Sequence, residues 1–157
     1  CRSYALVVET VGLRVWKYFL TGPKRGTKEV FIERLPGFPD GITRSLDGES
    51  FFISIVAPLS PLFSTGSSVM QSPLARWVSA WVLVRFSPLL TSLGVLRKLG
   101  CVVQVVASSG RVQAVLLDPS GATVSTISAV TETQQQLLFG NLGGDSIFAW
   151  DKKRGGL

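Results

Sequence analysis

The feature that most restricts the fold is the spacing of turn signals along the chain. Short apolar or alternating runs recur at Tyr4–Glu9, Leu13–Leu20, Glu29–Glu33, Phe51–Val56, Val102–Ala107, Val112–Leu117, Val124–Val130, Gln136–Gly140 and Ser146–Trp150. Most are of strand length and rich in Val, Ile, Phe and Trp. Turn pairs bound them: Gly22 with Pro23, Asp47 with Gly48, Ser109 with Gly110, Ser120 with Gly121, Gly143 with Gly144. Turns at roughly 8 to 12 residue spacing mark a sandwich, barrel or propeller, and a largely antiparallel meander is expected. At 157 residues, 46% hydrophobic and only 17% charged, the chain is long and apolar enough to bury the core of one domain.

Between Leu35 and Ile42 the sequence reads Leu-Pro-Gly-Phe-Pro-Asp-Gly-Ile. Two prolines fix φ and two glycines admit conformations that other residues avoid, so Asp40 is expected at a rigid bend. An acid held that way is a candidate site residue. The competing reading is a plain turn between strands, where Asp is common.

One stretch departs from the strand pattern. From Ser72 to Leu99, the residues Leu74, Trp77, Val78, Trp81, Val82 and Phe86 fall at helical spacings until Pro88 interrupts them. The Ser, Gly and Pro content of Pro58–Ser72 reads as a loop leading in. The expectation is a loop and amphipathic helix inserted over 58–99, packed on the β-scaffold or dipping into a membrane surface through 72–99. Arg76, Arg85 and Arg97 weigh against a full span, because a central Arg is costly in hydrocarbon.

With no histidine in the chain, Ser/His/Asp and Cys/His catalysis and His metal ligation are excluded for it. Carboxylates, Lys, Tyr and hydroxyls remain. Cys1 and Cys101 are too few for a zinc motif, and their spacing does not decide whether they pair. The net charge of +6 is scattered, at Lys24, Arg25 and Lys28 and again at Lys152, Lys153 and Arg154, without the aromatic interleaving of a nucleic-acid groove. A solvated surface and no nucleic-acid partner are expected.

Several stretches resemble the strictosidine synthase-like family, which includes the adipocyte plasma membrane-associated proteins and is similar in fold to the paraoxonases. They are LVVET at Leu6–Thr10, RVWKYFLTGPKRGT at Arg14–Thr27, EVFIERLPGFPDGI at Glu29–Ile42, DGESFFISIVA at Asp47–Ala57, Val112–Ala122, and TETQQQLLFGNLGGDSIFAWDKK at Thr131–Lys153. The resemblance implies an all-β fold, a partial six-bladed β-propeller of about three blades with a helical insertion, the chain being the C-terminal part of a longer protein. A partial wheel leaves strand edges unpaired. Localisation signals and the ligands of earlier blades are expected upstream of Cys1. The endomembrane system, the vacuole or secretion is the compartment implied.

The same resemblance carries the site expectations. In the wider superfamily a divalent ion, usually calcium, sits in the central channel, and Asp40 falls on the family's Pro-Asp-Asn element as a candidate metal ligand. Here Gly41 replaces the Asn, removing one oxygen from an ion that takes about six to eight. Glu132 matches the position of the synthases' general base, by its spacing to Gly140, and Glu9 ends what reads as an inner strand. Both are catalytic candidates. The function implied for the intact protein is metal-assisted hydrolysis of small esters or lactones, with a small-molecule substrate. The alternatives are a catalytically silent membrane-associated or secreted interaction propeller, a true amine–aldehyde condensing synthase, and a self-contained β-sandwich.

Overall fold

Alternation of apolar and polar residues sets the strands, and the turn residues set where they end. The computed structural model describes residues 3–58, 98–142 and 144–155, with scattered positions between 72 and 89. The first sheet comprises β1 (Tyr4–Glu9), β2 (Arg14–Phe19) and β3 (Lys28–Ile32), antiparallel in the order β1-β2-β3. The middle sheet holds β4 (Gly37–Arg44), β5 (Ser50–Pro58), β6 (Gly100–Val106) and β7 (Val112–Asp118), again in chain order. The third has β8 (Ile127–Glu132), β9 (Gln136–Asn141) and β10 (Phe148–Asp151), in the order β10-β9-β8. A single helical turn, α1 (Lys152–Gly155), follows.

The sheets stack face to face through two apolar seams. Val15, Leu6, Val8 and Phe31 of the first sheet pack against Ile53, Ile55, Cys101, Val103 and Val105 of the middle one. On the other face of the middle sheet, Phe52 and Val102 meet Ile127, Val130, Leu137 and Phe139. Period-2 strands make this possible, since successive residues of β5 and β6 feed opposite seams. The result is an all-β fan of sheets, a partial propeller rather than a two-layer sandwich. Cys101 lies free and buried in the first seam, and burial pushes its thiol up to about 11.

Strand direction locates the hub. Glu132, at the end of β8, reaches the backbone N–H of Leu46 just past β4, and Ser128 meets Gly41 midway, so β4 and β8 run the same way. β1 runs opposite to them. The Leu13 carbonyl after β1 accepts from Leu35 N–H ahead of β4, whereas Tyr4 and Leu6 share a cavity of about 560 Å³ with Ile42 and Arg44 towards the far end of β4. Among the described strands β1 is the edge strand of its sheet, as β4 and β8 are of theirs, and it runs opposite to both.

One expectation needs correction. The segment expected as a rigid bend at Leu35–Ile42 is largely the strand β4, with an irregular register between Phe38 and Ile42. Proline is tolerated there because, among the described strands, β4 is an edge strand that pairs only with β5. Glu9 ends β1, which among the described strands is the edge strand of the first sheet. The loop and helix expected over 58–99 fall largely outside the described residues; Leu74, Trp77 and Trp81 carry helical backbone and are exposed, but the helical insertion itself is not shown. No helix among the described residues is long and apolar enough to cross a membrane.

Candidate functional site

The irregular stretch of β4 brings two residues, Asp40 and Gly41, into the place where Ser54 of β5 and Ser128 of β8 converge. Ser54 is fully buried. Its hydroxyl accepts from the N–H of Gly41 at 2.8 Å and faces the Ser128 carbonyl at 2.9 Å, so one side chain joins the middle and third sheets at the hub. A Cβ at position 41 would stand 2.5 Å from the Ser128 carbonyl oxygen and 3.0 Å from the Ser54 hydroxyl. Glycine is thus demanded by close approach of two backbones. Asp40, beside it, is exposed.

The two glutamates lie at opposite ends of the fan. Glu9 stays within its own hairpin, accepting from Arg14 Nε and, at 2.6 Å, from Trp16 Nε1. The hydrogen bond from Arg14, then that from Trp16, holds its carboxyl below the ordinary range. Arg14 and Lys28 both sit over the Trp16 ring, at 4.5 and 4.1 Å. Glu132 does a different job: it accepts from Lys152 Nζ at the start of α1 and, at 2.6 Å, from the N–H of Leu46, a residue 86 positions away. Its side chain is only 13% exposed, so this pair is shielded and ties together β8, α1 and the turn after β4.

A side chain at position 41 would press on the Ser128 backbone, and Glu9 and Glu132 are engaged by separate partners. Among the described residues no three of His, Cys, Asp and Glu gather to hold a metal. A calcium ion takes about six to eight oxygens, and the described residues do not bring such a set together around Asp40.

A further acidic residue emerges from the fold and not from the spacing. Asp118, at the end of β7, accepts through Oδ1 from Ser120 N, Ser120 Oγ and Gly121 N, and through Oδ2 from Thr123 N and Val124 N. The Ser120 hydroxyl, then the N–H groups of Val124 and Thr123, hold its carboxyl far below the usual range. A lowered folded pKa stabilises above the unfolded value of about 3.9, and the contribution fades as pH falls through the folded value. The urea midpoint of Asp118→Asn is therefore expected below that of the wild type at pH 6, with the gap narrowing steadily between about pH 4 and 2. A gap that stays constant across that range would contradict the assignment.

No protein-family model matches the chain. It is 35% identical over 143 residues to protein strictosidine synthase-like 10 of Arabidopsis thaliana, covering 90% of this chain and 36% of that protein. It is 28% identical over 145 residues to the adipocyte plasma membrane-associated protein of Bos taurus, covering 88% of this chain and 32% of the relative. A shorter stretch of 46 residues is 44% identical to the Drosophila melanogaster adipocyte plasma membrane-associated protein hemomucin, covering 29% of this chain and 8% of that protein. The chain thus spans about a third of the length of the first two relatives. Similarity running through nearly all of these residues, over a fan of antiparallel sheets, establishes that the chain belongs to the strictosidine synthase-like family.

Proposed function

We propose that this chain is a scaffold segment of a strictosidine synthase-like propeller that works as a membrane-associated or secreted interaction module, supplying no hydrolytic centre of its own. The observation that carries the reading is Glu132: the residue matching the synthases' base has its carboxylate shared between Lys152 and the Leu46 N–H, as a clasp between sheets. The closed position 41 supports the same reading, and the names of the plasma membrane-associated relatives support the setting. Hydrolysis of small esters or lactones by the intact protein is the second reading, favoured by the exposure of Asp40 beside the hub. Amine–aldehyde condensation has the weaker support, since it asks for Glu132 as a free base.

The test is hydrolysis of an aryl acetate and of a small lactone by the purified chain, with and without millimolar calcium. The expected rates equal the buffer blank and do not change in Asp40→Asn or Glu132→Gln. Calcium-dependent turnover lost in either variant would overturn the proposal.

A further inference from the structure

One end of the fan sets aliphatic side chains among cations. β4 finishes there at Arg44, and the antiparallel ladders bring to the same end the β2–β3 turn at residues 20–27, the β4–β5 turn at 45–49 and the β6–β7 turn at 107–111. Each turn presents an aliphatic side chain well outside the core. Leu20 is 44% exposed, Leu46 62%, and Val112, just past the third turn, 45%. Exposed cations stand beside each: Lys24 and Arg25 after Leu20, Arg44 before Leu46, Arg111 before Val112. The turns are also neighbours. The N–H of Ala107 donates to the Glu49 carbonyl at 2.8 Å, and a Cβ at Gly110 would stand 2.1 Å from the Phe31 carbonyl oxygen of β3. Pro58 and Gly100, which flank residues 59–99, lie at the opposite end.

Acids at this end are largely engaged within it. Glu29 is bridged by Lys24 and Lys17, at 3.2 and 3.6 Å, and Glu132 by Lys152. Asp47 accepts from the Ser45 hydroxyl and from the N–H of Glu49, which is itself exposed. The stretch from Leu20 to Glu29 carries Lys24, Arg25 and Lys28 against that one bridged glutamate. A soluble polyanion asks only for charge, and a packed protein partner asks for a continuous apolar face. Separate aliphatic tips among cations match the interface of an anionic bilayer, where Lys and Arg meet headgroups while Leu and Val enter the acyl boundary. We propose that this end of the fan docks on a bilayer surface containing anionic lipid, through Leu20, Leu46, Val112 and the cations beside them. The docking surface gives the proposed module its partner and rests on that reading for its setting. It shares no residue with Asp40 and Gly41, so failure to bind vesicles and a gain of hydrolysis are separate results.

The experiment sediments the 157-residue chain with vesicles of phosphatidylcholine, alone or with about 30% phosphatidylserine, over a range of salt. Saturable binding to the mixed vesicles is expected, at least about tenfold tighter than to phosphatidylcholine alone and weakening as salt rises. That comparison uses the unaltered chain and so stands whatever the stability of any variant. Lys24→Glu with Arg25→Glu is expected to weaken binding at least about tenfold. The matched reversal at the opposite end, Arg34→Glu after β3 with Lys98→Glu before β6, is expected to leave it within about twofold. Leu20→Ser with Leu46→Ser is expected to lower the affinity at least about threefold at unchanged charge. No binding to mixed vesicles at the lowest salt overturns the proposal, as do equal effects of the two charge reversals or unchanged binding by the serine pair. Heparin held as tightly as the mixed vesicles would make a soluble polyanion the partner and overturn the choice of a bilayer.

Discussion

Replacing Leu137 by Ala is expected to destabilise the chain by about 3 kcal/mol. Leu137 is fully buried on β9, in the seam where the third sheet meets Phe52 and Val102 of the middle one. Truncation removes four carbons' worth of transfer energy less the retained methyl and leaves a cavity between strands that the β8–β9 and β5–β6 ladders hold apart. Because the third sheet joins the fan mainly through this seam, the loss is expected to be local. Hydrogen exchange of β8, β9 and β10 amides rises more than that of β1, β2 and β3. Urea denaturation gives the size of the effect and exchange gives its place. A loss below about 1 kcal/mol, or exchange rising equally in all three sheets, would mean that the seam does not carry the contact described.

The second large effect is at the hub. Gly41→Asn, which restores the residue of the family's Pro-Asp-Asn element, is expected to cost about 2–3 kcal/mol and to create no ion site. The clash is with backbone, the Ser128 carbonyl at 2.5 Å, whose oxygen is also the acceptor of the Ser54 hydroxyl. Pushing β4 and β8 apart also strains the Ser54 bridge, exposing Gly41 N–H and the Ser128 carbonyl to a loss of partner inside the core. Gly41→Ala separates the steric part from the amide and is expected to show most of the same loss. Equal stability of Gly41→Asn and wild type by urea denaturation would show that β4 and β8 do not approach as described.

Much of the strand order was legible because it rests on local chemistry. Tyr4–Glu9 is read to the residue, and Gln136–Gly140 lacks only Asn141, since period-2 alternation and flanking turn residues are written in adjacent positions. β4 was misread for an equally physical reason: Pro and Gly signal a bend when the sequence alone is considered, and only an edge position beside the hub makes them acceptable in a strand. β8 begins at Ile127 instead of Val124 because Asp118 captures the Val124 N–H and keeps that residue in the loop. The hairpin around Glu9 offered a local clue, since Arg14 and Trp16 stand within seven positions of it. Glu132 offered none. Its partner at Leu46 is brought near by the stacking of sheets, and no spacing rule connects the two. The same holds for Ser54, an unremarked hydroxyl in β5 that bridges to Ser128 across 74 positions.

The hub and its acids decide between a scaffold and a metal enzyme, and isothermal titration of the purified chain with calcium addresses that directly. With position 41 closed and Glu9 and Glu132 committed to separate partners, the heats are expected to match dilution alone up to about 5 mM ion, beyond the weakest class of extracellular calcium sites. A saturable one-site isotherm that disappears in Asp40→Asn would contradict the account.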